Sequence, residues 1–180
     1  MPESILTKKA LADSLKKLLT HLPFNKITVT EICQECGMHR QSFYYHFKDK
    51  YELVNWIFHD EFVNPMLKNP DLIGRLKFLQ EICQYFYDNR DFYRKVLAIN
   101  EQNSFSEYLS HFLQKVFYQY FRNILGSIED IDFYIDFYTD AMISTIKRWI
   151  SSENCYPPEK FLALVHSCLL VSIISMDEQK

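Results

Sequence analysis

Glycine is scarce in this chain, 3 of 180 residues, and proline is little commoner at 6. Tight hairpin turns draw on both residue types for their backbone geometry, so a fold built from many short strands is excluded. Cysteine is sparse as well, and its number, 5, is odd. No basic stretch leads into an apolar one at the start, because Lys8, Lys9, Asp13, Lys16 and Lys17 interrupt the first twenty residues. Export is therefore not expected, and reduced thiols in the cytoplasm are. Cys33 and Cys36 form a C-x-x-C, but no second pair follows at finger-like spacing, so buried thiols are expected there and no metal. Long apolar runs are also missing. The most apolar one, Phe161 to Met176, falls short of the roughly 20 residues a membrane span needs and carries His166, so it reads as a buried helix with no membrane partner. Glycine-rich phosphate loops, G-x-S-x-G and H-E-x-x-H do not occur, which leaves no motif for an enzyme and no implied cofactor.

What the chain does hold is 48% hydrophobic residues and 24% charged ones, a balance that suits a packed globular protein. With so few breakers and plentiful Leu, Lys, Glu and Gln, the expected class is all-α. The net charge of −3 speaks against nucleic acid until it is divided along the chain. Residues 1–50 carry 8 Lys and Arg against 5 Asp and Glu, whereas residues 51–180 carry 12 against 18. A basic head on an acidic body fits polyanion binding by the head alone.

Leu11, Leu15, Leu18, Leu19 and Leu22 lie on one face of an amphipathic helix that should end before Pro23. Thr28-Val29-Thr30-Glu31 is a capping box that opens a short second helix, and Gly37 supplies the left-handed residue that ends it. A third helix then starts at His39-Arg40-Gln41-Ser42. Asp49 and Glu52 form a further capping box for a fourth, running roughly to Val63. Within the third helix Phe43, Tyr45 and Phe47 are expected to pack inward, as aromatic residues at helical spacing usually do. Helix, short helix, turn and helix is the arrangement that puts the first residues of a recognition helix against base edges in the major groove. Arg40, Gln41 and Ser42 occupy those positions. Arg can bond bidentately to guanine and Gln to adenine, while Thr28, Thr30, His39, Tyr44, His46 and Lys50 are candidates for holding phosphates and setting register.

The segment Ile27-Thr28-Val29, Ile32, Gly37 and the run Phe43 to Lys50 with Leu53 resemble the DNA-binding signature of the TetR family of transcription regulators. That resemblance covers roughly residues 5–55. It implies three DNA-binding helices, a helical dimerising body of about six helices, and phosphate contacts from Tyr44, His46 and Lys50, with bases read by Arg40, Gln41 and Ser42. His39 stands where Ser or Thr is the usual cap. The expected division is a head of residues 1–50 and an effector-binding, dimerising body of residues 51–180.

Pro65 and Asn69-Pro70 punctuate the chain after the fourth helix. Further helices are predicted near 71–88, 91–99, 104–124, 131–152 and 158–176. From Tyr85 to Tyr138 the chain packs 8 Phe and 8 Tyr into 54 residues. Such rings either fill a core or line a cavity for a small effector. Tyr85, Phe92, Tyr108, Phe112, Tyr134 and Tyr138 are the candidates for the second role. Asp132, Asp136 and Asp140 share a helix face and read as a solvated stripe. The last two helices are apolar over more of their circumference than one interior needs, which predicts a homodimer through Met142, Ile146, Trp149, Leu162, Leu169 and Ile173. The phrase Asn89 to Arg94, with Trp149 later, is similar to the branch of the family that contains regulators of dihydroxyacetone-kinase operons. The expected function is a repressor that binds a palindromic operator on double-stranded DNA and answers to a small-molecule effector. The alternative is an activator controlled by a protein co-regulator.

Overall fold

The computed structural model describes residues 2–68, 76–99, 104–125 and 129–177, the side chains of 2, 3, 76, 124, 125 and 169–177 excepted. Asn69-Pro70 lie outside the described residues. The described elements are α1 (Pro2–His21), a 3-10 turn (Phe24–Lys26), α2 (Val29–Glu35), α3 (Arg40–His46) and α4 (Lys50–Phe58). A π-helical turn (His59–Val63), α5 (Asn64–Leu67), α6 (Leu76–Asp88), α7 (Arg90–Val96), α8 (Phe105–Leu125), α9 (Ile131–Ser151) and α10 (Pro158–Asp177) follow. The all-α class holds, with no strand among the described residues. No described helix is long and apolar enough to cross a membrane.

Local chemistry sets the ends of the short helices. Thr28 accepts from the Glu31 amide at 3.2 Å, and the Glu31 carboxylate accepts from the Thr28 amide at 2.8 Å, so both arms of the capping box are made. Gly37 takes φ +67°, where its amide donates to Gln34 and that of Met38 to Cys33; any side chain there would be strained. The second expected box is only half made. Asp49 accepts from the Glu52 amide at 2.8 Å, but the Glu52 carboxylate reaches one residue further back, to the Lys48 amide at 2.6 Å.

One apolar cluster runs through the described chain. Leu11, Leu15 and Leu19 of α1 meet Ile32, Phe43, Phe47 and Leu53, which holds α3 against α1, α2 and α4. The cluster continues along α4 into the body at Phe58. Around that ring stand Phe62, Tyr85, Phe86, Tyr93, Phe105, Tyr108 and Phe112, with centroids 5.2 to 6.4 Å away. The chain widens to a π turn just after Phe58, the Asn64 amide reaching back to the His59 carbonyl. Pro65, which can donate no such bond, follows at once. In the body α8 packs along α9, α10 lies against α6, and α7 touches both α9 and α1.

Two further ties join α1 to the body. Lys16 pairs with Glu61, which also accepts from Tyr85 at 3.1 Å, and the Tyr85 hydroxyl shares a 2.8 Å bond with Tyr93. Lys95 donates to the carbonyls of Leu19 and Thr20 at the end of α1, a position where a helix presents partial negative charge.

Candidate nucleic-acid interface

α3 is only seven residues long, too short to persist alone, so its outer face is positioned by what lies beneath it. Phe43 is 0% exposed and Phe47 3%, and their side chains pin the helix to α1 and α4. Successive helical residues turn by about 100°, so Tyr44 and Tyr45, between those two anchors, point outward. Arg40, Gln41 and Tyr44 are exposed and Ser42 is half-buried. The Arg40 guanidinium donates to the Tyr44 hydroxyl at 3.1 Å and stands 5.7 Å from that ring's centroid. The same bond raises the Arg40 pKa. Arg40, Gln41, Ser42 and Tyr44 therefore form one patch at the free end of α3. His39 precedes it as the N-cap residue, exposed and making no side-chain capping bond.

Tyr45 departs from the sequence expectation. It is 84% exposed, because it sits half a turn from the Phe43 and Phe47 anchors and so faces away from the core. The spacing itself carried that signal, since Phe43 and Phe47 are i and i+4 while Tyr45 is i+2.

The remaining expected phosphate contacts lie in other surroundings. The Thr28 hydroxyl is engaged with Glu31, donating to its carboxylate at 2.7 Å, and this pairing lowers the Glu31 pKa. Thr30 is half-buried beside it. His46 is half-buried under the edge of Tyr45, 4.9 Å between centroids, and turned toward Lys8. Burial, and then the charge of Lys8, lower its pKa, which favours the uncharged imidazole.

Lys50 is held most firmly. Its ammonium donates to the carbonyls of Phe24 at 2.8 Å and Ile27 at 2.7 Å, and lies 4.6 Å from the Phe24 ring centroid. The geometry gives it the work of fastening the start of α4 to the turn before α2. Lys50→Ala should accordingly cost stability, about 1.5 to 3 kcal/mol for the lost charged hydrogen bonds, with the salt dependence of DNA binding unaltered. Urea denaturation and a salt titration check this together. An unchanged midpoint with the log-log salt slope reduced by about 1 would return Lys50 to phosphate contact.

The six aromatic residues proposed for an effector pocket do not meet in one cavity. Tyr85, Tyr108 and Phe112 belong to the packed rings around Phe58. Phe92 is 9% exposed against Tyr93 and Lys16. Tyr134 stands beside Phe133, and Tyr138 lies between Phe121 and an open groove on α9 and α10.

That groove, of about 690 Å³, corrects the dimer residues. Ile146 is 0% exposed and so has no surface to offer a second chain. Met142 and Trp149, 6% and 5% exposed, form the groove floor, where Trp149 stacks on Phe161 at 3.9 Å and donates to the Tyr156 carbonyl at 2.8 Å. Leu162 is half-buried against the core, and the side chains of Leu169 and Ile173 lie outside the described residues. The outward apolar face instead carries Phe133, Phe137 and Leu164, at least half exposed.

The thiols have ordinary structural places. Burial raises the pKa of Cys33, and that of Cys83 to about 12, while Cys36 donates to the Ile32 carbonyl. Asp132, Asp136 and Asp140 are exposed, and Asp136 accepts from Gln114 at 2.8 Å.

Comparison with known proteins bears on both halves of the chain. A family model described as bacterial regulatory proteins, tetR family, matches residues 11–57, and one described as a transcriptional regulator C-terminal region of TetR type matches residues 76–170. The HTH-type dhaKLM operon transcriptional activator DhaS of Lactococcus lactis subsp. lactis (strain IL1403) is 33% identical over 101 residues, 56% of this chain and 54% of that protein. The chain thus spans about half the length of that curated relative. Among solved structures, the dihydroxyacetone kinase operon activator DhaS superposes with a TM-score of 0.71 at 24% identity, over 94% of this chain and 97% of that one. A TetR transcriptional regulator from Streptococcus agalactiae 2603V gives 0.70 at 22%, over 93% and 95%. At these identities the two structures speak for the fold.

Proposed function

The chain belongs to the TetR family of transcriptional regulators, and from that premise we propose that it binds a palindromic operator as a homodimer, with residues 1–50 as the DNA-binding head and 51–180 as the dimerising body. DNA-binding regulation is the work of the family, and the matched families are regulators, not enzymes. The observation that carries the finer reading is the exposed patch of Arg40, Gln41, Ser42 and Tyr44 on a helix anchored from below by Phe43 and Phe47. In this reading Arg40 and Gln41 read base edges, Ser42 and Tyr44 support them, and His39 lies close to the backbone at the helix start.

The Arg40 test is quantitative. Arg40→Ala should lose roughly 1 to 3 kcal/mol of discrimination between operator and random duplex, a fall of about fivefold to 150-fold. Genomic footprinting supplies the operator, and fluorescence anisotropy on both duplexes measures the ratio. Equal losses on the two would remove Arg40 from base reading.

The sign of regulation has two readings. The first is repression controlled by a small effector, whose binding in the body would change the spacing of the two heads and weaken operator binding. The second reading is activation, supported by the similarity to a protein named as an operon transcriptional activator. In vitro transcription from the footprinted promoter, with the purified chain added, separates them.

A further inference from the structure

Two side chains of the outer α3 patch are joined to each other. Arg40 and Tyr44 are i and i+4 on one helix, a spacing that makes them neighbours on its surface. Nη2 of Arg40 donates to the Tyr44 hydroxyl oxygen at 3.1 Å, and the guanidinium carbon lies 5.7 Å from the centre of that ring. One guanidinium is thus held by two contacts of different kind, a directional hydrogen bond and a cation over a ring face.

The Tyr44 ring is held in its turn. It meets Phe43 edge to face, with centroids 5.6 Å apart and planes at 82°, and Phe43 is wholly buried. The place of the guanidinium is therefore referred, through one ring, to the core beneath α3.

Holding Arg40 in this way leaves its chemistry available. Among the described residues no carboxylate lies within ion-pair distance of it, so its charge is not neutralised within the chain. The Tyr44 hydroxyl takes one hydrogen of one terminal nitrogen, and the guanidinium fork keeps donors enough for the two acceptors of a guanine edge. A long side chain that is ordered only on binding costs affinity. Arg40 is ordered before DNA arrives.

We infer that Tyr44 is a positioning residue for base reading: its hydroxyl aims the Arg40 guanidinium into the groove, and its work is on Arg40 rather than on a backbone phosphate. The inference rests on the reading of Arg40 as a base-contacting residue. Its consequence is that part of the discrimination of α3 is set by a side chain that touches no base.

The test uses the full chain, the footprinted operator and a random duplex. Tyr44→Phe is the informative variant, because phenylalanine keeps the ring and its packing and removes only the acceptor. The ratio of operator to random-duplex affinity should fall about threefold to tenfold, the order expected when one more rotamer-rich side chain has to be fixed on binding. On operators changed one base pair at a time, the fall should sit at the pair where Arg40→Ala loses its preference. A merely loosened head would instead blur every pair alike, and that result would overturn the inference. With Arg40 already Ala, Tyr44→Phe should lower the ratio no further, whereas with Gln41 already Ala it should take its full share. In the DNA-free chain, nitrogen-15 relaxation at the Arg40 Nε–H should report a more mobile side chain after Tyr44→Phe; unchanged order there would overturn the aiming role without reference to any duplex. A loss shared equally by operator and random duplex, with the log-log salt slope reduced by about 1, would give Tyr44 to a phosphate instead. Arg40→Ala weakening both duplexes alike would remove the base-reading premise and this inference with it. Arg40→Ala lowering the ratio while Tyr44→Phe leaves it would keep the premise and overturn the inference alone.

Discussion

Phe58→Ala should lower stability by about 3 to 5 kcal/mol, the cost of deleting a buried aromatic ring whose site cannot collapse. Collapse is prevented here because the hole would be walled by other rings. Phe105 and Phe112 lie 5.4 Å from Phe58, Phe86 stacks on it at 5.9 Å with planes 19° apart, and Phe58 itself is 0% exposed. Rigid rings held from α6 and α8 do not reorient to fill a void. A small domain has only about 5 to 15 kcal/mol of net stability, so the loss is a large share of the whole. In a chain of this length it corresponds to a fall in Tm of roughly 6 to 20 °C. Differential scanning calorimetry on the variant, beside Phe58→Leu as the smaller deletion, reads it directly. A fall under 2 °C for Phe58→Ala would mean that the rings do not pack as described. The position matters beyond stability, since Phe58 ends α4 and is where the head's framework enters the body.

What was legible in the sequence follows the range of the interaction. The Thr28 and Glu31 capping box and the left-handed Gly37 were readable because every atom involved belongs to a stretch of a few residues. Arg40 and Gln41 were readable as a surface pair because Phe43 and Phe47 fix the inward face of α3. Lys50 was not, because its acceptors, Phe24 and Ile27, precede it by 26 and 23 residues and arrive only through packing. The aromatic density between Tyr85 and Tyr138 was visible as a number, but whether rings meet each other or surround a space depends on how α6, α7 and α8 converge.

α9 shows the limit most clearly. Its residues 135, 139, 142, 146 and 149 are buried within the chain, while Phe133 and Phe137 are 68% and 58% exposed. Both stripes are largely apolar at helical spacing, Thr139 being the polar member of the first, so periodicity alone could not say which one meets the chain's own core. The structure separates them, and Phe137 of the second stripe shares a groove with Leu164 of α10, half exposed, an exposed apolar surface of the kind that marks an interface. Two-fold pairing would set the Phe137 of each protomer near the partner copy of the same patch, because an isologous interface presents one surface twice. Phe137→Glu should therefore bury two unpaired carboxylates at once. Each is costly in an apolar interface, and together they should shift the chain to a monomer at micromolar concentration in sedimentation velocity. Phe137→Leu, which keeps the surface apolar, should remain dimeric. A monomer engages one half-site, so operator affinity should fall by about a thousandfold or more toward the level of non-specific binding, with the head's fold intact by circular dichroism. If Phe137→Glu sediments as the wild type does, the dimer does not use this face, and the groove over Met142 and Trp149 has another occupant.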